Sequence, residues 1–517
     1  MKGVEFSIGV GASYIALAFG GLYFIYAFKY YVSTLIALRL LSEYNGGDEG
    51  NEVPVYEAPV YEAQYEPFVS IHLPFYNEVN VAKRIIDACI DLDYSNYEVL
   101  VADDSRDDTV KLLRDPSWRV SRPIIKFVHR RDRTGFKGGA LQQALRYMHP
   151  DAKYVVVFDA DFVPPPEILR RFLSEFEARR GEGKPVAAVQ GYQLHHLNKN
   201  ENWLTKGVRA EFSGSYMVER VAEEALGAMK MISGSVFMLR AELLRLLGWT
   251  TSITEDWELT IRLYLEGYRV VYTPLIQAPA EIPNTVRRLI RQRMRWAEGH
   301  TYAVRRYFWR VIRSGNLTLN EKLEFLYFSP YYLQSAFFIV GTVCWIVSEA
   351  TRRRPPFWTP VLGWGLVVSN FLAIPLMGLA GVFMEGDLAE DYGGVFSFIA
   401  LSYMVAPYQA YAAIKGLFEG DEGTWIRTLK TGNITDSVIG VKFRSLIRWF
   451  MSLRREARKT ARPVDEVVYL IKVPVHRLLS VACVCLIVLP FAERLLALRS
   501  LLLWVLRCGL LEVLTAG

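Results

Sequence analysis

The stretch Tyr154–Leu169, YVVVFDADFVPPPEIL, decides how the chain is read. A run of β-branched and aromatic residues, the composition of a buried strand, stops at Asp159 and Asp161, and prolines follow. An isolated buried carboxylate is costly, so a strand ending in two of them points to a polar partner beyond its tip. In sheets of mostly parallel strands, ligands bind beyond the carboxyl ends. The strand then reads as a support, and its aspartates as projections into a cleft.

Working outward, short apolar runs alternate with amphipathic patterns from Phe68 to about Pro274. FVSIHL, YEVLVAD, IIKFVH, YVVVFDAD and RVVYTP predict strands; VNVAKRIIDACIDL, FKGGALQQALRYM and TEDWELTIRLYLEGY predict helices. Near-continuous hydrophobic strands alternating with helices predict an α/β fold with a mostly parallel sheet covered on both faces.

The flanks differ. Of 517 residues 51% are hydrophobic, piled up near the N-terminus and across the last third, as in a membrane protein with a soluble block between. A net charge of only +6 argues against a nucleic-acid partner. Cys89, Cys344, Cys483, Cys485 and Cys508 form neither a zinc-type array nor a disulfide framework. IGVGASYIALAFGGLYFIYA (Ile8–Ala27) is long enough to span a bilayer, with no cleavage site after it, and predicts a retained anchor within residues 1–41. Lys2 precedes it, and Lys29 and Arg39 follow, which places the next domain on the cytoplasmic side. Residues 42–67 read as an acidic linker, 68–282 as the catalytic block and 283–325, arginine-rich and aromatic, as amphipathic interface helices. Residues 326–418 carry apolar segments near 327–350, 361–384 and 395–418. Residues 419–473 read as a basic cytoplasmic or interfacial region, with KFRSLIRWFMSLRREARK (Lys442–Lys459) suited to anionic headgroups, and 474–517 as C-terminal transmembrane segments. If all three middle segments cross, GTWIRTLKTG (Gly423–Gly432) falls on the side away from the catalytic block. An interfacial or re-entrant segment removes that conflict, and the sequence does not say which one.

Acidic groups sit at the predicted strand ends and helix starts: Glu78, Asp103 and Asp104, Asp159 and Asp161, Glu255 and Asp256. An Asp-x-Asp pair suits Mg²⁺ or Mn²⁺ carrying a diphosphate, since both ions favour oxygen ligands and substrate phosphates; solvated loop acids have the same pattern. In TEDWEL, Thr254 can cap a helix whose positive end favours Glu255 and Asp256, and Asp256 can also serve as a general base. In QRMRW, Gln292, Arg295 and Trp296 share a helix face. They suit either a membrane surface or a leaving diphosphate and a sugar ring. TGFKGGAL (Thr134–Leu141) is a glycine turn opening a helix, where Lys137 and backbone amides can meet phosphate.

In order, LPFYNE, VADDS, FKGGAL, FDADF, TEDWEL and QRMRW resemble the pattern of processive family 2 glycosyltransferases, the cellulose synthase, mannan-synthase-like and hyaluronan synthase relatives. TWIRTLKTG is similar to that family's cytosolic loop at the active-site mouth, and LHHLNKNENWLTKGVRAEF (Leu194–Phe212) to the segment after its metal strand. The resemblance implies a GT-A fold, Rossmann-like with a mostly parallel sheet, inserted between transmembrane helices. It implies a UDP- or GDP-hexose donor, with Asp103 and Asp104 at the nucleoside and Pro74, Asn77, Glu78 and Lys137 nearby. Asp159 would touch the diphosphate sugar, Asp161 beside it would hold Mg²⁺ or Mn²⁺, and Asp256, next to Glu255, would be the base. Gln292, Arg295 and Trp296 would grip the acceptor end and the leaving group. The implied activity is inverting transfer to a growing β-linked polysaccharide (mannan, glucan or glucomannan), moved across a membrane. The alternative is single addition to a lipid, as in ceramide glucosyltransferases; the acceptor is thus polysaccharide or lipid, in a membrane-lipid setting. Two departures leave donor and acceptor open: ISGSVFML (Ile232–Leu239) replaces a Phe-Asn-Gly-Thr stretch, and QRMRW continues as AEGH rather than with a cysteine.

Overall fold

Strand and helix alternate along the middle of the chain, and the computed structural model describes residues 2–46, 66–118, 123–353, 359–386, 388–421, 423, 428–435 and 478–491. Seven strands form one sheet: β1 (Val69–Phe75), β2 (Tyr97–Asp103), β3 (Ile124–His129), β4 (Tyr154–Val157), β5 (Val186–His195), β6 (Phe237–Arg240) and β7 (Arg269–Ala280), in the order β3-β2-β1-β4-β6-β5-β7. Neighbours are parallel except at β6, which runs antiparallel to both β4 and β5. The helices are α1 (Lys2–Gly46), α2 (Ala82–Ile90), α3 (Thr109–Leu113), α4 (Phe136–Tyr147), α5 (Ile168–Ala178), α6 (Trp203–Gly214) and α7 (Arg220–Ala225). They continue with α8 (Ala241–Leu247), α9 (Glu255–Leu265), α10 (Val286–Arg313), α11 (Leu319–Phe328), α12 (Gln334–Thr351), α13 (Pro360–Met384) and α14 (Leu388–Phe418).

The predicted α/β sheet covered on both faces is what forms. Val99 and Val101 of β2 join Ile85 and Phe172 in one core, while Leu100 and Ala102 join Leu141, Leu259 and Tyr307 in the other. Period-two alternation of side chains explains why successive apolar residues serve opposite layers. Two strands escape the hydrophobic pattern. β6 is only four residues long, and β5 carries polar Gln190 in its middle. The Gln190 amide is satisfied in place: it donates to the carbonyls of Gly191, Ser235 and Val236 and accepts from Ser233 N. A fully bonded polar group can occupy a core strand.

The segment from α6 to α7 is continuous helix, with a π turn at Ser215–Glu219. Asn202 caps α6 by accepting from Leu204 N and Thr205 N. Buried ion pairs tie α6 and its approach to the helical hairpin beyond: Arg209 pairs with Glu385, and Lys199 lies 3.1 Å from Asp391.

Among the described residues three helices are long and apolar enough to cross a membrane: Ile8–Leu41 within α1, Gln334–Thr351 (α12) and Val361–Met384 within α13. Helix α14 is not one of them, and it packs along α6 and α10. Lys430, in the loop after α14, lies 2.5 Å from Asp161 at the sheet rim. The basic stretch 442–459 and the apolar segment near 499–515 lie outside the described residues.

The start of α4 lies close against the turn before α9. A Cβ on Gly138 would stand 2.1 Å from Thr250 O and 3.3 Å from Glu255 Cβ. Gly138→Ala should therefore force the two elements apart and destabilise the protein by about 1–3 kcal/mol. The check is thermal unfolding of the detergent-solubilised chain; an unchanged midpoint contradicts the close approach.

Candidate active site

Strand β4 ends at Val157, so Asp159 and Asp161 lie beyond the sheet as the sequence suggests. Both line a cavity of about 270 Å³ that also takes in Lys137, Glu255, Asp256, Gln292, Arg295 and Trp296. Residues from four separate motifs thus meet in one place.

Lys137 is the hinge of the arrangement. It stands in the first turn of α4, with Nζ 2.8 Å from Asp159 Oδ1, 3.3 Å from Glu255 Oε1 and donating to Gly234 O at 2.8 Å. Burial works against its ammonium, but Asp159, Glu255 and Asp256 hold it protonated well above the ordinary lysine range. Burial pushes the carboxyls of Glu255 and Asp256 up, with Lys137 pulling both back. Burial also weakens the Arg295 guanidinium's hold on its proton, against the support of Glu255, Asp159 and Asp256.

Asp256 is aimed by its own helix. Trp257 N donates to Oδ1 at 2.8 Å, and Oδ2 faces Gly234. Gly234 has φ +76°, and a Cβ there would come within 2.9 Å of that oxygen. Sequence reading did not single out Gly234 as a site residue. The signal lay in ISGSVFML, noted only as a departure from the family's Gly-containing stretch.

The residues expected to grip the acceptor end come from α10. Arg293 pairs with Glu211 at 2.7 Å and stacks over the Trp296 ring at 4.4 Å. Gln292 Oε1 is buried and makes no hydrogen bond among the described residues.

Of the residues predicted at or near a nucleoside, Lys137 lines this cavity, while Pro74, Asn77, Glu78, Asp103 and Asp104 form a second group on the same rim. Asp103 and Asp104, at the end of β2, are buried. Asp103 contacts His129 Nδ1 at 2.7 Å and accepts from Ser105 N; Asp104 accepts two bonds from Arg130, at 2.6 and 2.5 Å. Asn77, at φ +58°, accepts from Arg106 N and donates its own N–H to Ser105 Oγ, which fixes the loop. Pro74 lies on β1, and the Glu78 carbonyl starts the turn into α2. Arg130 joins the two groups, since it also donates to the carbonyls of Thr134 and Phe136, next to Lys137.

Asp161 has partners the sequence showed only as a family-like loop. Its Oδ2 accepts from Lys430 Nζ at 2.5 Å and from Glu281 N at 3.2 Å. The Glu281 carboxylate accepts from Arg84, Thr431 N and Gly432 N. The Lys430 ammonium on Asp161 and the Lys137 ammonium on Asp159 show that both carboxylates already receive positive charge from the cleft. Their hard oxygens fit a Mg²⁺ or Mn²⁺ ion. Among the described residues no group of three or more His, Cys, Asp or Glu side chains could hold a metal, so such an ion would complete its shell from substrate phosphate and water.

The profile of glycosyl transferase family group 2 matches residues 154–413, half the chain. The chain belongs to glycosyl transferase family group 2. This family-group-2 protein is 27% identical over 378 residues to glucomannan 4-beta-mannosyltransferase 2 of Arabidopsis thaliana, covering 71% of this chain and 68% of the relative. It is 26% identical over 378 residues to glucomannan 4-beta-mannosyltransferase 1 of Oryza sativa subsp. japonica, covering 71% and 70%. Its fold is similar to that of a mannosyltransferase from Pyrobaculum calidifontis solved in complex with GDP-Man and Mn²⁺. The TM-score is 0.50 at 19% identity, over 79% of this chain and 100% of that one. The GT-A-like architecture is therefore shared.

In this family-group-2 glycosyltransferase Gly234→Ala should displace Asp256. Sugar transfer should fall about 10²-fold, as misplacement of a reacting group commonly costs. Rates at saturating donor, with circular dichroism to show the fold retained, make the check.

Proposed function

We propose that the protein is a membrane-embedded, inverting hexosyltransferase that passes a sugar from a GDP- or UDP-hexose to a growing β-linked polysaccharide of mannan, glucan or glucomannan type. The carrying observation is the single cavity in which Lys137, Asp159, Glu255, Asp256 and Arg295 meet Gln292 and Trp296. The relatives' names, glucomannan 4-beta-mannosyltransferases, support a β-linked polysaccharide product, and the GDP-Man and Mn²⁺ of the solved neighbour support donor and cation class. The candidate spans in α1, α12 and α13 support a membrane setting. In this reading the sheet lies on the cytoplasmic side and the polar product passes between the helices.

In this reading Asp256 Oδ2 takes the proton of an acceptor hydroxyl as that oxygen bonds to the anomeric carbon. The bond from that carbon to the diphosphate breaks on the opposite side, its electron pair leaves with the nucleoside diphosphate, and the centre inverts. Arg295 and Lys137 bear on the charge that builds on the leaving group, in a site where burial strengthens their effect. Trp296, held by Arg293, offers a flat apolar face to a sugar ring. Asp159 and Asp161 would hold Mg²⁺ or Mn²⁺, which when bound supplies further positive charge to the diphosphate. Asp103 and Asp104, steadied by His129 and Arg130, stand at the nucleoside end with Pro74, Asn77 and Glu78.

Asp256→Asn should lower transfer by about 10²–10⁴-fold and leave nucleotide binding intact, and robust residual transfer removes Asp256 from the base role. The base must be ionised, and burial raises its pKa. The rate should therefore decline on acidification with an inflection above the ordinary aspartate value of about 4. An inflection at or below that value contradicts the assignment. Asp161→Asn should weaken Mn²⁺ binding measured by paramagnetic resonance in the presence of nucleoside diphosphate; unchanged binding sinks the metal role.

A further inference from the structure

The π turn Ser215–Glu219, a feature that recurs at functional sites, contributes to the cavity lining. It brings Tyr216 and Glu219 into the lining, with Arg220 and Glu223 on the next turn. Arg220 is fully occupied. Its Nη1 donates to Met231 O at 3.0 Å and its Nη2 to Ser233 Oγ at 2.7 Å, which fastens the π turn to the Gly234 loop facing Asp256. Glu219 is different. The residue is only 7% exposed, and its Oε1 makes no hydrogen bond among the described residues. The ammonium beside it, Lys29 Nζ, stands 3.5 Å away and is drawn to Glu324 at 2.5 Å and Glu223 at 3.3 Å.

The same cavity therefore holds two buried oxygens with room to accept more: Gln292 Oε1 receives no hydrogen bond from the described residues, and Glu219 Oε1 has only the Lys29 ammonium, 3.5 Å away and shared with two other glutamates. Unmet buried acceptors are costly, and a ligand rich in donors relieves them. Tyr216, Trp296, Tyr331 and Tyr332 also line the cavity. Hydroxyl donors together with flat apolar faces describe a saccharide. Charge narrows the class further. Glu211, Glu219, Glu223 and Glu324 line the cavity, Arg293 and Lys29 are already paired with glutamates, and with Arg220 counted the four carboxyl groups still outnumber these three cations. A phosphate-bearing acceptor would meet excess negative charge here.

We propose that Glu219 binds a hydroxyl of the acceptor saccharide other than the one Asp256 deprotonates, and that this acidic, aromatic wall selects an uncharged saccharide over a phosphate-bearing lipid. The proposal rests on the transferase reading above and names its acceptor.

The test uses the full chain in nanodiscs, GDP-mannose and UDP-glucose as donors, and mannotetraose, cellotetraose and a polyprenyl phosphate as acceptor probes. Glu219→Ala should raise the oligosaccharide KM about tenfold or more with the donor KM unchanged, the loss typical of a hydrogen bond to a charged group. Glu219→Gln keeps the shape and a carbonyl acceptor, so it should recover most of that loss, whereas Glu219→Leu, which keeps bulk but has no acceptor, should reproduce it and serves if the alanine variant fails to fold. An unchanged acceptor KM in Glu219→Ala or Glu219→Leu, a Glu219→Gln variant as impaired as these, or a donor KM that rises in step, overturns the proposal. So does a wild-type protein that prefers polyprenyl phosphate, or one that hydrolyses donor without response to oligosaccharide; in both cases the transferase reading survives. A wild type that turns over neither donor removes that reading, and this proposal with it.

Discussion

The site depends on one buried ammonium. Lys137 is packed among Asp159, Glu255 and Asp256, and burial makes the lone charge of Lys137, Glu255 or Asp256 costly. The three carboxylates come from two motifs about a hundred residues apart, and mutual neutralisation is what lets them share a wall. Lys137 is itself set by its neighbours. Arg130 holds the turn ahead of α4 while gripping Asp104, so the rim from β2 to α9 is one electrostatically coupled structure. Arg295 adds a second cation to the set, one whose charge burial would otherwise discourage.

Topology explains why so many elements reach this rim. The order of strands reverses between β1 and β4, the kind of point at which α/β sheets open a crevice. Beside it, β6 runs against β4, so the start of β6 rather than its end lies at the rim: Val236 N bonds Val157 O, and Ser235 Oγ accepts from Asp159 N. A parallel strand in that slot would carry the Gly234 loop to the far edge. β5 and β7 then resume the direction of β4, and β7 delivers Glu281 to Asp161.

Much of this was legible in the sequence. Near-continuous apolar runs announced β1, β2, β3, β4 and β7, and the Asp159/Asp161, Glu255/Asp256 and Gln292/Arg295/Trp296 groups do meet in one cavity. What the sequence hid follows a pattern. β5 was masked by Gln190, whose polarity is cancelled by bonds to distant backbone. β6 was too short to show a period. Gly234 and Glu219 matter through what stands opposite them in space, and neither belongs to a motif with a chemical signature of its own. The role of α14 was hidden too: its apolar content suits burial against α6 and α10 as well as it suits lipid.

The Lys430 contact carries a consequence for biogenesis. Asp161 and Glu281 are made early, and the sheet around them can form from nearby chain. Their partners Lys430, Thr431 and Gly432 are translated only after α12, α13 and α14. The crevice is therefore completed only after the candidate spans of α1, α12 and α13 have been made.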